Sequence, residues 1–475
     1  MSTFSDYQDY DGLGLAELVR KGEVTAAELI ESAIDRTAAV NSDLNAIVIE
    51  QYDDARRLAA QGLPDGPFSG VPFLLKNLDV GQAGTRTTSG SRMYADYVAA
   101  HDSTLVARFK AAGFNIFGKT NSPEFGVLPV TEPELHGPSR NPWNTAHTTG
   151  GSSGGAGAAV AAGILPIAHA SDGGGSIRIP ASCNGLVGLK PTRGVNPIGP
   201  DMGEAWGGQV CNHVVSRSVR DTAAVLDATM GPEPGNAYCG PQFAGSLLDE
   251  VGSDPGPLRI AVSFEKWSQG AYQPEAIAGL KATVKLLEGL GHTVEEARPD
   301  LDFEELTGAS SIIAAVSTAL ICQKRAEELG VTVEELPMED GTRMLLTLGS
   351  LVGATDYPRA VQTNHLAGFE MARFHEQYDV LLLPTMASEP VPVGYFKGGD
   401  ENDLIERLGA FMGETMLCNQ TGQPAISLPL HWSDNGLPVG MMFSAAFGGE
   451  PLLLRLAGQL EQAQPWWDRR PPLAV

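Results

Sequence analysis

Two glycine-rich serine stretches, G150-G-S-S-G-G155 and D172-G-G-G-S-I-R-I-P180, constrain this chain more than any other feature. Runs of glycine and serine are ordinarily turns or linkers, because glycine leaves the backbone free. These two are not free-standing. The first leads into A156-G-A-A-V-A-A-G163, a run of small residues that predicts a helix packed tightly against a sheet. The second follows I164-L-P-I-A168, which predicts a buried strand, and precedes the short apolar run L186-V-G-L-K-P-T192. Loops interleaved with buried helix and strand in this way belong inside an α/β fold.

The remaining pattern extends that reading. Leu15, Leu18 and Val19 have helical spacing, and Thr25 with Glu28 makes a capping box for a helix carrying Leu29, Ile30, Ala33, Ile34 and Thr37 on one face. A helix is expected over 51–60, a buried strand over Val71–Leu75, a helix from Asp102 ending at Gly113, a strand over Phe114–Phe117 and a helix starting at Ser122-Pro123-Glu124. Amphipathic helices are expected over Ile277–Leu290 and Ala314–Leu329. Sheet-like runs return at Asp379–Leu383, Ala425–Leu430 and Val439–Ser444, and Leu452–Gln462 predicts a closing helix. The expectation is one domain over 1–475, with a mixed sheet and helices on both faces. Within it, 1–62 are N-terminal helices, 63–250 a core, 252–358 a mainly helical peripheral region, and 359–475 the rest of the core.

Composition narrows the function. The formal net charge is −25, from 57 acidic against 32 basic residues, which argues against nucleic acid or an anionic membrane as partner. Five cysteines are scattered with no CxxC, which argues against a disulfide framework or a zinc site and fits a reducing compartment. The first residues are acidic with no apolar leader, and no window reads as a membrane span, so a cytoplasmic protein is expected.

Three patterns compete for the chemistry. G113-F-N-I-F-G-K-T120 fits the spacing of a phosphate-binding loop, but its middle residues alternate as in a strand. G150-G-S-S-G154 fits a nucleophile elbow, but loop-like sequence precedes it where an elbow needs a strand. None of the later histidines (His169, His213, His292, His365, His375, His431) has a catalytic-looking context. The third pattern joins Ser152, Ser176 and Lys76. A serine hydroxyl is a poor nucleophile until a base takes its proton. Lys76 follows a buried strand, and burial lowers a lysine pKa toward the neutral form that a base requires.

With these residues the chain resembles the amidase signature family. The resemblance is carried by Lys76, by G150-G-S-S-G-G155 and by S171-D-G-G-G-S-I-R-I-P-A-S-C-N-G-L-V-G-L-K-P-T192. G118-K-T-N-S-P-E-F125, R140-N-P-W-N144 and T421-G-Q-P-A-I-S-L-P-L430 also match, and the match is weakest over 252–358. It implies the family's fold and hydrolysis of a small-molecule amide without metal or cofactor. Ser176 would be the nucleophile, Ser152 a bridging serine held by a cis peptide, and Lys76 the base. The N–H groups of Gly173, Gly174, Gly175 and Ser176 would form the oxyanion hole. Ser153, Asp172 and Arg178 would support the loop.

One departure stands out. The family usually carries threonine or a larger aliphatic residue at position 173, where this chain has glycine, which would loosen the loop or widen the space beside the scissile bond. T131-E-P-E134, R140-N-P-W-N144, L428-P-L-H-W432 and P465-W-W-D-R-R-P471 resemble most the members that hydrolyse cyclic aminohexanoate dimers. Aliphatic amides, anilides, carbamates, esters and linear oligomers remain open as substrates, in a pocket expected from loops near Gly126–Thr131, the helical region and the segment after Leu383. Cys322 is read as core, with a pocket position as the alternative. The rival to a free-standing amidase, with a homodimer left open, is a glutaminase-like subunit of a transamidation complex. The divergent 252–358 region and Trp466-Trp467 favour the free-standing enzyme.

Overall fold

The computed structural model describes residues 3–475. Its strands are β1 (Ile47–Glu50), β2 (Pro72–Lys76), β3 (Asn115–Thr120), β4 (Arg140–Asn141), β5 (Asn144–Thr148), β6 (Ile167–Asp172), β7 (Val187–Lys190), β8 (Cys211–Ser216), β9 (Arg259–Val262), β10 (Thr293–Glu296), β11 (Val380–Pro384), β12 (Ala425–Trp432) and β13 (Pro438–Ala445). Eleven of them form one mixed sheet in the order β1-β3-β2-β6-β8-β7-β12-β13-β11-β9-β10, while β4 and β5 form a separate ribbon. β2 runs parallel to both β3 and β6, and β8 is antiparallel to β6. The mixed α/β architecture is the one the sequence predicts.

Local chemistry explains the elements that place the site. The Thr25 hydroxyl and the Glu28 carboxylate close the expected capping box at the start of Ala26–Leu44. Every residue of β2 is buried. Phe73 stacks on Phe114 at 4.3 Å between ring centroids, and Phe68 stacks on Phe114 at 4.5 Å. Burying one such side chain contributes about 1.5–3 kcal/mol, so this aromatic cluster fixes the strand that ends in Lys76. The helix Gly154–Ala161 is buried throughout, as its small residues require.

Three expectations change. Ser122-Pro123-Glu124 does not open a helix: Glu124–Gly126 is a single 3₁₀ turn, broken where Phe125 and Gly126 both take positive φ. The stretch 252–358 is helical but also supplies β9 and β10, which close one edge of the sheet. The helix Phe303–Leu329 is long and apolar enough to cross a membrane by length and composition. In the fold it packs against Asp340–Leu351 and Asp356–Gln377 and buries Leu306, Ile313, Cys322 and Ala326.

Candidate active site

Lys76 ends β2 with a fully buried side chain. Its Nζ lies 2.8 Å from Ser152 Oγ and 2.9 Å from Ser171 Oγ. Burial pulls its pKa down to about 8, against the opposing pull of Asp79 and then Asp172. Beneath it, His169 Nδ1 accepts the Lys76 backbone N–H at 3.1 Å. Burial, then the Lys76 charge, drives His169 down to about 3, so it stays neutral and is a weak base. Ser171 and Asp79 were not singled out by the sequence. Ser171 Oγ donates to Asp79 Oδ2 at 2.6 Å, which extends the chain of polar groups to a half-buried carboxylate.

Ser152 is buried and follows a cis peptide from Gly151. Gly151 is required by close approach, since a Cβ there would lie 2.6 Å from the backbone nitrogen of Val130. This is how the loop near Gly126–Thr131 comes to the site. Ser153 Oγ donates to the carbonyl of Ser171 at 3.2 Å and accepts its N–H at 3.3 Å, which joins the two serine stretches.

Ser176 is half-buried, and its hydroxyl makes no hydrogen bond among the described residues. The loop before it is held from below. Asp172 and Arg178 form a fully buried two-pronged ion pair at 2.9 and 3.0 Å. Burial opposes the Asp172 charge, but the Arg178 charge and its hydrogen bonds outweigh burial and hold the carboxyl down at about 2. Asp172 also accepts the N–H of Gly175 at 2.7 Å and of Ile177 at 3.2 Å.

That bond occupies one of the expected oxyanion donors. The Gly175 N–H is turned into the Asp172 carboxylate, whereas those of Gly173, Gly174 and Ser176 meet no acceptor among the described residues. Gly175 serves the loop differently. It sits at φ 134°, where a Cβ would lie 2.4 Å from Thr415 Oγ1, and that hydroxyl donates to the Gly174 carbonyl at 2.7 Å. Thr415 and Asn419, at the start of and within the short helix Met416–Thr421, are the other site residues the sequence reading missed.

Gly173 does not leave an open space. A Cβ there would lie 3.3 Å from Val210 Cγ2 and 3.4 Å from Trp206 Cε3, so the indole and the valine occupy the volume a larger residue would take. Cys322 is core: it is fully buried with Met93, Phe125 and Met338. The phosphate-loop look-alike is β3 itself, with Lys119 buried in an extended strand. The strand before Gly150 is β5, part of the outer ribbon and largely exposed, so no elbow forms.

The fold thus brings a buried lysine into contact with Ser152, beside the glycine loop that carries Ser176. A family model described as Amidase matches residues 28–454. The chain belongs to the amidase signature family and is a hydrolase of amide carbon–nitrogen bonds other than peptide bonds. It is 39% identical over 477 residues to the 6-aminohexanoate-cyclic-dimer hydrolase of Paenarthrobacter ureafaciens, covering 98% of this chain and 96% of that one. The structure of 6-aminohexanoate cyclic dimer hydrolase complexed with substrate matches with a TM-score of 0.91 at 37% identity, covering 99% of this chain and 100% of that chain. One subunit of the glutamyl-tRNA(Gln) amidotransferase of Thermotoga maritima is a more distant match, with a TM-score of 0.76 at 26% identity, covering 98% of this chain and 97% of that one.

Proposed function

We propose that the enzyme hydrolyses a small carboxamide through an acyl-enzyme on Ser176, with Ser152 as proton relay and Lys76 as base. The observation that carries this reading is the 2.8 Å contact between a fully buried lysine Nζ and Ser152 Oγ. With Lys76 neutral, the Ser152 hydroxyl gives its proton to Nζ and takes one from Ser176. Ser176 Oγ then attacks the carbonyl carbon. Negative charge develops on the carbonyl oxygen, where the N–H groups of Gly173, Gly174 and Ser176 stabilise it. The proton returns through Ser152 to the nitrogen, the carbon–nitrogen bond breaks and the amine leaves. Water repeats the path on the ester and releases the acid, so one water is consumed for each amide cleaved.

For the substrate, we take the cyclic dimer of 6-aminohexanoate as the first candidate, because relatives of that name align over almost the whole chain. A cytoplasmic location fits the five free cysteines, four of them buried. The test is a panel of purified-enzyme assays on the cyclic dimer, linear aminohexanoate oligomers, an aliphatic amide, an anilide and a carbamate, with amine release followed directly. Turnover of the cyclic dimer well above the others is expected. Release of amine only when a partner subunit is added would overturn the free-standing reading in favour of a transamidation subunit.

A further inference from the structure

We infer that Asp79, acting through Ser171, is a positioning residue that sets the direction in which the protons of the Lys76–Ser152 relay point. The inference rests on the reading of Lys76 as base and follows from counting protons. A serine hydroxyl has one proton to give. Ser171 Oγ lies 2.6 Å from Asp79 Oδ2, and an ionised carboxylate can only accept, so the Ser171 proton is committed there. Toward Lys76 Nζ, 2.9 Å away, Ser171 then has only lone pairs to offer. A neutral lysine has two protons and one lone pair. One N–H goes to Ser171, and the lone pair is left to the other hydroxyl in contact, Ser152 at 2.8 Å. Ser152 therefore donates to Lys76 and keeps its own lone pair for the proton of Ser176, which is the sense catalysis needs.

Without the carboxylate the order is lost. Ser171 could turn its proton toward Nζ and compete for the same lone pair. Ser152 would then accept a lysine N–H and have its proton pointing the wrong way. The backbone supports a placed rather than an incidental side chain. Asp79 sits at φ 69°, a left-handed conformation uncommon for a residue with a Cβ, and the turn is closed by Val80 N–H on the Leu78 carbonyl at 2.9 Å. The groups facing Lys76 are few. Asp79 and Asp172 favour its ammonium, Asp172 is already paired with Arg178, and His169 beneath it is neutral. Removing the Asp79 charge should therefore ease deprotonation of Lys76 while disordering the relay, a pairing of effects that loss of packing does not produce.

The experiment measures kcat and KM against pH for Asp79→Asn, Ser171→Ala and the double variant, using amine release from an amide the wild type cleaves, with Ser176→Ala as control and thermal melting to check folding. For Asp79→Asn the midpoint of the pH profile should move to lower pH, with plateau kcat down about tenfold and KM changed less than about twofold. Ser171→Ala should also lower the midpoint, since the ammonium loses an acceptor. The double variant should match the plateau kcat of Ser171→Ala within about twofold, because Asp79 orders the relay only through Ser171. A folded Asp79→Asn enzyme whose midpoint stays put or rises overturns the inference, as does additivity of the two plateau losses. If Asp79→Asn does not fold, an unmoved midpoint in Ser171→Ala overturns it. Activity in Ser176→Ala would instead remove the underlying mechanism, so the two failures are distinguishable.

Discussion

Asn419 donates its side-chain amide to both the backbone carbonyl and the carboxylate of Asp172, at 2.9 and 2.8 Å, across a sequence separation of 247 residues. Its own carbonyl oxygen accepts from Arg178 at 2.6 Å. The glycine loop that precedes Ser176 is thus tied to a helix near the far end of the chain. Loop glycines alone would be free to move, and an oxyanion site needs donors fixed before charge develops.

Ser176→Ala is expected to abolish amine release, and Lys76→Ala and Ser152→Ala each to lower kcat by at least about a thousandfold, because residues acting as one proton-transfer unit fail together. Steady-state kinetics on the three purified variants check this. Near-normal turnover by Ser176→Ala would remove the nucleophile assignment.

Activity should rise from acid to mildly alkaline pH. Burial brings the Lys76 ammonium down from 10.5 to about 8, so the neutral base accumulates as pH passes through that value. A kcat/KM profile measured where the protein stays folded should climb through that range. A profile flat down to pH 5 would mean that another base operates.

Arg178→Ala leaves the Asp172 carboxylate buried without its partner, which should cost about 3–5 kcal/mol of stability. Urea unfolding of wild type and variant measures the difference. The sign with pH is set by a carboxyl held below its ordinary 3.8, at about 2. In the wild type its contribution is present above pH 3.8 and is lost as pH falls through about 2.

Gly175→Ala should damage turnover far more than Gly173→Ala. At 175 the added methyl meets Thr415 at 2.4 Å in a backbone conformation that L-residues avoid. At 173 it meets Val210 and Trp206 at 3.3 and 3.4 Å, where a shift of a few tenths of an ångström relieves it. Comparable kcat values for the two variants would contradict the geometry of the loop.

The legible parts of the site were those that short stretches of chain carry. Lys76 could be placed because an apolar run of strand length ends beside it, and Ser152 and Ser176 because glycine-rich loops stood between apolar elements. Ser122-Pro123-Glu124 misled because a good helix start was followed by two residues in left-handed conformations. The role of Gly173 was not legible either, since Trp206 and Val210 reach it from a loop some thirty residues away.

The sequence by itself determined the mixed α/β class, the strand end that carries Lys76 and the glycine-rich loops that carry Ser152 and Ser176, because strand burial and loop chemistry are local and leave a pattern in neighbouring residues. Tertiary structure alone decided that Ser171 stands against Lys76 and donates to Asp79, and that Asn419 and Thr415 close the loop from below. Those contacts join segments that meet only when the sheet assembles. Hydrogen bonds formed by such long-range approach have no signature in the spacing of the residues that make them.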